Sequence, residues 1–309
     1  MKKILCFFMC LCIIIPLSAC NSSTSNEPNT NDSITHIDNG TNENNSQTNS
    51  ELSPFADWDD DGALKILTIG NSFSNNTMAY VYQIAEACGV KEIYLGNLYI
   101  SGCTLDTHAE NARGDKKAYA YYYNKNGVWL HANDYKMSSV IQRENWDFIS
   151  LQQASSSSDK PETYGELEYL ISYVKSLADK NSTLIWNMTW AYDRSKNSRQ
   201  NYMYTHIVSS VKEKVEAQSD FAAIIPCGTA IQNARTSFVG DTMTTDGMHL
   251  NTLGQYIAGL TLVHKLTGLS IDNISYSAGL TDNKVAVAIE SVKNAVAKPY
   301  EITKSVLTK

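Results

Sequence analysis

A chain of 309 residues, with 43% hydrophobic and 18% charged residues, is long enough for one sizeable folded domain with appendages and has a globular composition. The formal net charge is −7 and becomes −9 if a leader that carries Lys2 and Lys3 is removed. This charge argues against a nucleic-acid partner, because binding to a phosphate backbone requires a basic face and the sequence shows none.

The first twenty residues are typical of an export signal. Lys2 and Lys3 precede an apolar run from Ile4 to Pro16, and Leu17-Ser18-Ala19-Cys20 follows. The run is too short for a membrane-spanning helix, and small residues before the cysteine suit a cleavage site. This site resembles the lipobox of bacterial lipoproteins, which implies that residues 1–19 are removed and that Cys20 carries the lipid anchor. The alternative is an ordinary signal peptide that is cut at Cys20 by coincidence.

The segment 20–52 consists almost wholly of Asn, Ser, Thr, Asp and Glu. Such a composition cannot bury enough apolar surface to fold, so we interpret it as a disordered stalk that holds a domain over residues 53–309 away from the membrane. The protein is then expected in the bacterial cell envelope, lipid-anchored and outside the cytoplasm.

No metal or other cofactor is expected. The acidic stretch from Asp57 to Gly62 opens like a calcium loop, but the twelfth position is Thr68, which cannot supply the required carboxylate. Cys88, Cys103 and Cys227 remain after removal of the leader and Cys20, and they lack the paired spacing of a zinc site. Three buried thiols are expected, although one disulfide is an alternative.

The pattern between residues 64 and 297 alternates between apolar β-rich runs and amphipathic helical segments. Such alternation predicts an α/β fold with a central parallel sheet, helices on both faces, and ligand sites at the carboxyl ends of the strands. A less regular stretch from Gly102 to Val140 is expected to be an excursion or small cap. The predicted strands are Leu64–Ile69, Glu92–Ile100, Trp146–Leu151, Thr183–Trp190 and Phe221–Pro226; the predicted helices are Thr77–Cys88, 164–177, Arg199–Gln218, Thr252–Leu266 with a Thr252/Gln255 capping box, and Asn283–Ala297.

Two short motifs indicate nucleophilic chemistry. The first predicted strand ends in Gly70-Asn71-Ser72, which places Ser72 on a sharp turn into a helix, beside amides that can stabilise an oxyanion. Asp246 precedes His249 by three residues in a predicted turn, so the carboxylate can hold one ring nitrogen while the other accepts a proton. Hydrolysis with an imidazole base is expected to decline as the pH drops through about 6.5, the reference histidine value.

Together these motifs resemble the GDSL/SGNH hydrolase superfamily over roughly residues 64–266. The segments GNSFSNN, GCTLDTHAEN, LQQAS, MTWAY, IPCGTAIQNARTS and DGMHLN are similar to a bacterial subfamily of undefined substrate. The resemblance implies a flavodoxin-like three-layer sandwich, with Ser72 as nucleophile, His249 as base and Asp246 as orienting acid. It also implies that the amides of Ser72 and Gly102 form an oxyanion hole.

The third oxyanion donor departs from the superfamily pattern. An asparagine is expected after the third strand, but the chain has Gln152 and Gln153 there, so the role passes to Gln152 or, as an alternate, Gln153. The other interpretation is that these amides only tie adjacent loops together.

Several further residues are candidates for the pocket. Asn187, Trp190 and Tyr192 lie at the end of the fourth predicted strand, where aromatic rings either stack on a sugar or fill the core. His108 either lines the pocket or is structural, and Ser74 is an alternative nucleophile.

The resemblance implies a surface-tethered serine esterase. We expect it to cleave acetyl or other short acyl esters on carbohydrates through an acyl-serine intermediate, with no nucleic acid as partner. Two alternatives stay open: an acyltransferase on the same fold, and a non-catalytic glycan-binding surface lipoprotein.

Overall fold

The computed structural model describes residues 62–308 of the chain. The predicted leader, the Cys20 anchor, the stalk and the acidic turn up to Asp61 therefore lie outside the described residues. Within residues 62–308, no helix combines the length and the apolar character that crossing a bilayer requires.

The strands of the described region form one mixed sheet. They are β1 (Ala63–Gly70), β2 (Glu92–Tyr99), β3 (Tyr119–Asn124), β4 (Leu130–Tyr135), β5 (Phe148–Leu151), β6 (Thr183–Asn187) and β7 (Phe221–Ile225). The sheet order is β4-β3-β2-β1-β5-β6-β7, and all strands are parallel except β3 and β4. The five parallel strands, numbered alone, follow the flavodoxin-like order 2-1-3-4-5, so the predicted fold is confirmed.

Helices cover both faces of the sheet, and each face has its own hydrophobic core. One layer contains α1 (Ser72–Met78), α2 (Val81–Ala87), α7 (Cys227–Arg235), α8 (Thr252–Thr267) and α9 (Asp282–Ala297). The other contains α3 (Leu105–Arg113), α4 (Met137–Ile141), α5 (Leu167–Leu177) and α6 (Gln200–Ser210), with a 3-10 turn at Pro161–Tyr164 and a π-helical turn at Val211–Val215. The result is a three-layer sandwich.

The apolar pattern of each element matches its place in this sandwich. Strand β1 lies between two parallel neighbours and is buried along almost its whole length, as expected for a strand with helices on both sides. Helix α5 buries Leu167, Leu170, Ile171 and Val174, which recur at helical spacing on one face. The central strand and its turn are therefore held firmly from both faces.

The stretch from Gly102 to Val140 is an excursion from the parallel pattern, and of the two predicted alternatives the small cap is excluded. It forms α3 and then the hairpin β3–β4, which pairs antiparallel with β2 and widens the sheet. The tyrosines at positions 119 and 121–123 are residues of strand β3, consistent with the β preference of aromatic residues.

Three predicted boundaries also change. The helix predicted over Thr77–Cys88 begins at Ser72 and is divided into α1 and α2. Strand β6 ends at Asn187, so Met188 to Trp190 lie beyond the sheet. Helix α8 is capped by the Asn251 side chain, which accepts from the amides of Leu253 and Gly254, rather than by the predicted capping box. Cys88, Cys103 and Cys227 are free thiols.

Candidate active site

Ser72 lies at the carboxyl edge of β1, on the turn that enters α1. Gly70 is required there, because a Cβ atom would lie 2.9 Å from the Cβ of Ser74 and 3.0 Å from the Cδ of Gln152. The Asn71 side chain accepts from the amide of Phe73 at 3.0 Å and so caps the helix. These contacts fix Ser72 as the first helical residue, with its side chain half-buried.

Asp246 and His249 lie on one tight loop before α8. The loop is closed by an antiparallel bridge between Thr244 and Leu250 and by the Thr245 amide, which donates to the carbonyl of His249 at 2.8 Å. One carboxylate oxygen of Asp246 accepts from the amides of Met248 (3.0 Å) and His249 (2.8 Å), and the other lies 2.7 Å from His249 Nδ1. The carboxylate therefore fixes both the loop and the imidazole.

The structure brings these two motifs together. His249 Nε2 lies 2.9 Å from Ser72 Oγ, although the residues belong to distant parts of the chain. A second contact joins the same elements, since the Leu250 amide donates to the Asn76 side chain at 2.8 Å. With Nδ1 donating to Asp246, Nε2 is left as the acceptor for the serine proton. The histidine and aspartate side chains are 36% and 46% exposed, so the group faces solvent.

The environment keeps the Asp246 carboxylate charged. The hydrogen bond from the His249 backbone amide is the largest cause, followed by the bond to the His249 ring, and together they lower the pKa of Asp246 far below its usual range. A permanently ionised acid stabilises the imidazolium that forms when the ring takes up a proton.

Aromatic packing supports the imidazole from inside. Phe73 meets the His249 ring edge-on at 6.0 Å and stacks on Trp190 at 4.2 Å. The Trp190 indole donates to the carbonyl of Met248 at 2.8 Å and is fully buried. Of the two alternatives for Trp190, the structure excludes a place in the pocket and agrees with core filling: this ring fills the core and supports the His249 loop.

Side-chain amides form a buried chain beneath the serine. Asn187 donates to Thr77 Oγ1 at 3.1 Å and to Gln152 at 3.2 Å, and Gln152 donates to the Asn71 side chain at 3.0 Å. Asn187 is buried and therefore does not line a pocket, contrary to the possibility raised by the sequence. The chain ties the ends of β5 and β6 to the nucleophile turn, and one amide hydrogen of Gln152 is used in doing so.

Three other predicted residues have structural roles. The Gln153 amide donates to Thr163 and accepts from the amides of Leu105 and Ala154, which leaves no donor for the site. His108 is buried and bonds to Tyr119 at 2.9 Å, so it does not line the pocket. Ser74 is buried, donating to the Asn71 carbonyl, so it is not placed to compete with Ser72.

Gly102 lies on the loop that follows β2, at a positive φ of 62°. The Asn71 side chain donates to the neighbouring Cys103 carbonyl at 3.0 Å and so ties this loop to the nucleophile turn. Within residues 62–308, no group accepts a hydrogen bond from the backbone amide of Ser72 or of Gly102. Both amides are available to a ligand.

Asp193, which no sequence motif had indicated, holds the His249 loop from the side. Its carboxylate accepts from the amide and hydroxyl of Ser195 and from the hydroxyl of Thr244, and its own amide donates to the Gly247 carbonyl at 2.9 Å. Asp193 follows Tyr192 directly, at the end of a mostly apolar run, and this position was the only indication in the sequence that it could lie near the site. Asn76 was missed as well, since an asparagine inside a short helix has no distinctive pattern.

Comparison with solved structures returns esterases and lipases at low similarity. Axe2, an acetylxylan esterase from Geobacillus stearothermophilus, is 13% identical, covers 71% of this chain and 97% of its own, and has a TM-score of 0.45. A member of the lipolytic G-D-S-L family from Veillonella parvula DSM 2008 is 12% identical, covers 65% and 97%, and has a TM-score of 0.43. A search of curated proteins found no match.

A much stronger likeness comes from a DUF4886 protein of Bacteroides uniformis ATCC 8492. Its crystal structure is 35% identical, covers 80% of this chain and 100% of its own, and has a TM-score of 0.76. The sequence pattern of the same family, a domain of unknown function, matches residues 65–297. The chain therefore belongs to the DUF4886 family.

Proposed function

We propose that this protein is a serine esterase that works through an acyl-serine intermediate. The observation that carries the proposal is the hydrogen-bonded line from Asp246 through His249 to the hydroxyl of Ser72. This arrangement of acid, imidazole and alcohol is the one that activates a serine for attack on an acyl group.

In the first half of the reaction, Ser72 Oγ attacks the carbonyl carbon of the ester while His249 Nε2 takes its proton. The negative charge that develops on the carbonyl oxygen is received by the amides of Ser72 and Gly102. Gln152 keeps one amide hydrogen as a third donor. Loss of one such donor typically costs about 3 kcal/mol of transition-state stabilisation. The intermediate then expels the alcohol, which takes the proton back from the imidazolium.

In the second half, water attacks the acyl-serine. His249 accepts a proton from the water and returns it to Ser72, and the carboxylic acid leaves. The 36% exposure of the His249 side chain supports hydrolysis over transfer to a second alcohol, because water reaches the base directly. The acyltransferase alternative requires an acceptor to displace that water.

The proposed substrates are acetyl or other short acyl esters on carbohydrates outside the cytoplasm. The lipobox-like sequence at Cys20 and the polar stalk support a tethered protein, and a tethered enzyme outside the cytoplasm meets surface glycans. In this proposal the membrane partner is bound through the lipid at Cys20 alone, and the substrate is bound by the domain.

Labelling with a fluorophosphonate tests the proposal. We expect a mass increase on the peptide that contains Ser72 in the wild type, no label in Ser72→Ala and His249→Ala, and retained label in Ser74→Ala as the matched serine control. Hydrolysis of 4-nitrophenyl acetate should follow the same pattern. Wild-type protein that takes no label, or a label that persists in Ser72→Ala, would support the non-catalytic glycan-binding alternative.

A further inference from the structure

Three aromatic rings form a continuous row across the widened edge of the sheet. Tyr99 ends β2, Tyr122 lies in β3 and His131 in β4. The rings of Tyr99 and Tyr122 meet edge to face at 5.7 Å, and Tyr122 stacks on His131 with centroids 5.1 Å apart and planes inclined by 23°. We call these three side chains the aromatic row.

The aromatic row is not part of the protein interior. Tyr99 and Tyr122 are half-buried, and His131 is exposed. Within residues 62–308, neither tyrosine packs against either hydrophobic core, whereas the adjacent Tyr121 is buried in one. Successive residues of a strand point to opposite faces, so Tyr121 serves the core and Tyr122 faces the other way. Core packing therefore does not explain the row.

The row begins beside the candidate active site. Tyr99 is in register with Gly70, two residues before Ser72, and the Ile100 amide donates to the Gly70 carbonyl at 3.2 Å. Gly102 follows Tyr99 by three residues, on the loop after β2. Because neighbouring strands lie about 4.8 Å apart, the row extends roughly 10 Å from β2 to β4. The row therefore begins one strand away from the turn that carries Ser72.

The chemistry of the row suits sugar rings. A pyranose presents a flat face of C–H groups, which packs on aromatic faces, while its hydroxyls require polar partners. Asn133 is exposed and lies two residues after His131, on the same face of β4, and supplies an amide. The row itself contains no Lys or Arg, which argues against an anionic ligand.

We propose that the aromatic row is a carbohydrate subsite that binds the sugar rings of an oligosaccharide while its ester is attacked by Ser72. The proposal rests on the proposed esterase function and assigns the glycan part of the substrate to β2, β3 and β4. It also gives a function to the β3–β4 hairpin, which extends the edge of the sheet beyond its five parallel strands.

Kinetics test the subsite. The wild type is compared with Tyr122→Ala, His131→Ala and Tyr202→Ala, the last being a matched control, because Tyr202 stacks on His206 at 3.7 Å on α6. Substrates are 4-nitrophenyl acetate and O-acetylated xylo-oligosaccharides of increasing length. We expect the ratio of kcat/KM for long oligosaccharide esters to that for 4-nitrophenyl acetate to fall about tenfold in Tyr122→Ala and several-fold in His131→Ala, and to stay unchanged in Tyr202→Ala. Unchanged ratios in both row variants would overturn the proposal.

Direct binding separates this proposal from the proposed function. Ser72→Ala is titrated with unacetylated xylo-oligosaccharides by calorimetry, and His131→Ala is added to the same background because an exposed residue does not threaten folding. Binding that weakens several-fold in the double variant supports the subsite, even if the wild type takes no fluorophosphonate label. Absence of binding to Ser72→Ala would overturn the subsite, whereas the label on Ser72 would still support the esterase.

Discussion

Asp246 illustrates how a single residue sets the chemistry of its neighbours. Its carboxylate accepts from two backbone amides and from the His249 ring, and these bonds keep its pKa well below the usual range despite the exposure of the side chain. The acid is therefore ionised at every pH at which the proposed hydrolysis would be assayed. Any titration of activity in the acidic range must arise from another group.

That conclusion gives a prediction for the pH dependence of hydrolysis. The imidazole must be neutral to accept the Ser72 proton, so kcat/KM falls as the solution becomes more acidic and the ring is protonated. Because Asp246 stays charged, the fall should be tenfold per pH unit with one proton involved. The measurement is kcat/KM for 4-nitrophenyl acetate between pH 8 and about pH 4.5. A rate that is flat over this interval would contradict a role for His249 as base.

His108 gives a second prediction, concerning stability. Burial lowers the pKa of His108 to about 4, and its Nε2 atom has no partner within the described residues. The unfolded chain binds a proton near pH 6.5 and the folded chain does not, so the free energy of unfolding falls as the pH drops from about 6.5 to about 4.

Denaturant unfolding at pH 6.5 and pH 5 checks this effect. The loss should be about 1.5 kcal/mol greater in the wild type than in His108→Gln, since each pH unit contributes at most about 1.4 kcal/mol for one proton and the unfolded histidine is only half protonated at about pH 6.5. The same loss in both proteins would show that His108 is not the responsible group.

At the scale of elements, the loop from Thr244 to Leu250 determines where the imidazole lies. Gly247 has φ of +86°, and a Cβ atom there would lie 2.6 Å from the Cβ of Lys196. The Gly247 carbonyl accepts a hydrogen bond from the Asp193 amide, so the loop that carries His249 packs closely against the loop that contains Asp193 and Lys196. A side chain at Gly247 must displace one of these two loops.

We therefore predict that Gly247→Ala lowers kcat at least tenfold and destabilises the fold by more than about 1 kcal/mol. Gly279→Ala is the control, because Gly279 has φ of +73° but nothing within 4 Å of an added Cβ atom. The control should lose a similar amount of stability from backbone strain and keep its kcat. Initial rates and thermal melts measure both quantities. Equal effects of the two substitutions on kcat would contradict the role of the close contact.

The elements differ in how far their sequences predict them. Buried parallel strands such as β1 and the amphipathic helix α5 have strong apolar patterns, and their predictions are confirmed. The β3–β4 hairpin was missed because its second strand is largely exposed and carries little apolar signal. The place of Trp190 stayed open for a related reason: sequence shows an aromatic residue at the end of a strand but not whether it faces the pocket or the core. The burial of Asn187 depends on the same long-range packing.

At the scale of the whole molecule, the strand order and the meeting of Ser72 with the Asp246–His249 loop could be anticipated from two motifs at the ends of the domain. The contacts that hold them could not, because Asn76, Asp193 and Gln152 act across loops that are distant in sequence. The side-chain amides in such networks recur at no regular spacing in the sequence. In related sequences, short polar residues near the ends of strands are the signal that would identify these contacts.

A further whole-molecule prediction concerns the anchor. Cys20→Ala should move the protein from the membrane fraction to the soluble fraction, since lipid chains on that cysteine supply the proposed attachment. kcat/KM on 4-nitrophenyl acetate should be unchanged. Cys88→Ala is the matched control and should stay with the membrane. Fractionation followed by immunoblotting makes the measurement. Membrane retention of the Cys20→Ala protein would contradict lipidation at this residue.

The distance along the chain between Ser72 and His249 has a consequence for biosynthesis. The ribosome delivers the amino end first, so the alcohol is made 177 positions before the residue that deprotonates it. Until α8 has docked, the nascent polypeptide carries only a chemically ordinary serine. Docking of α8 thus completes the proposed catalytic group, and until then the nascent chain holds Ser72 without its proposed base.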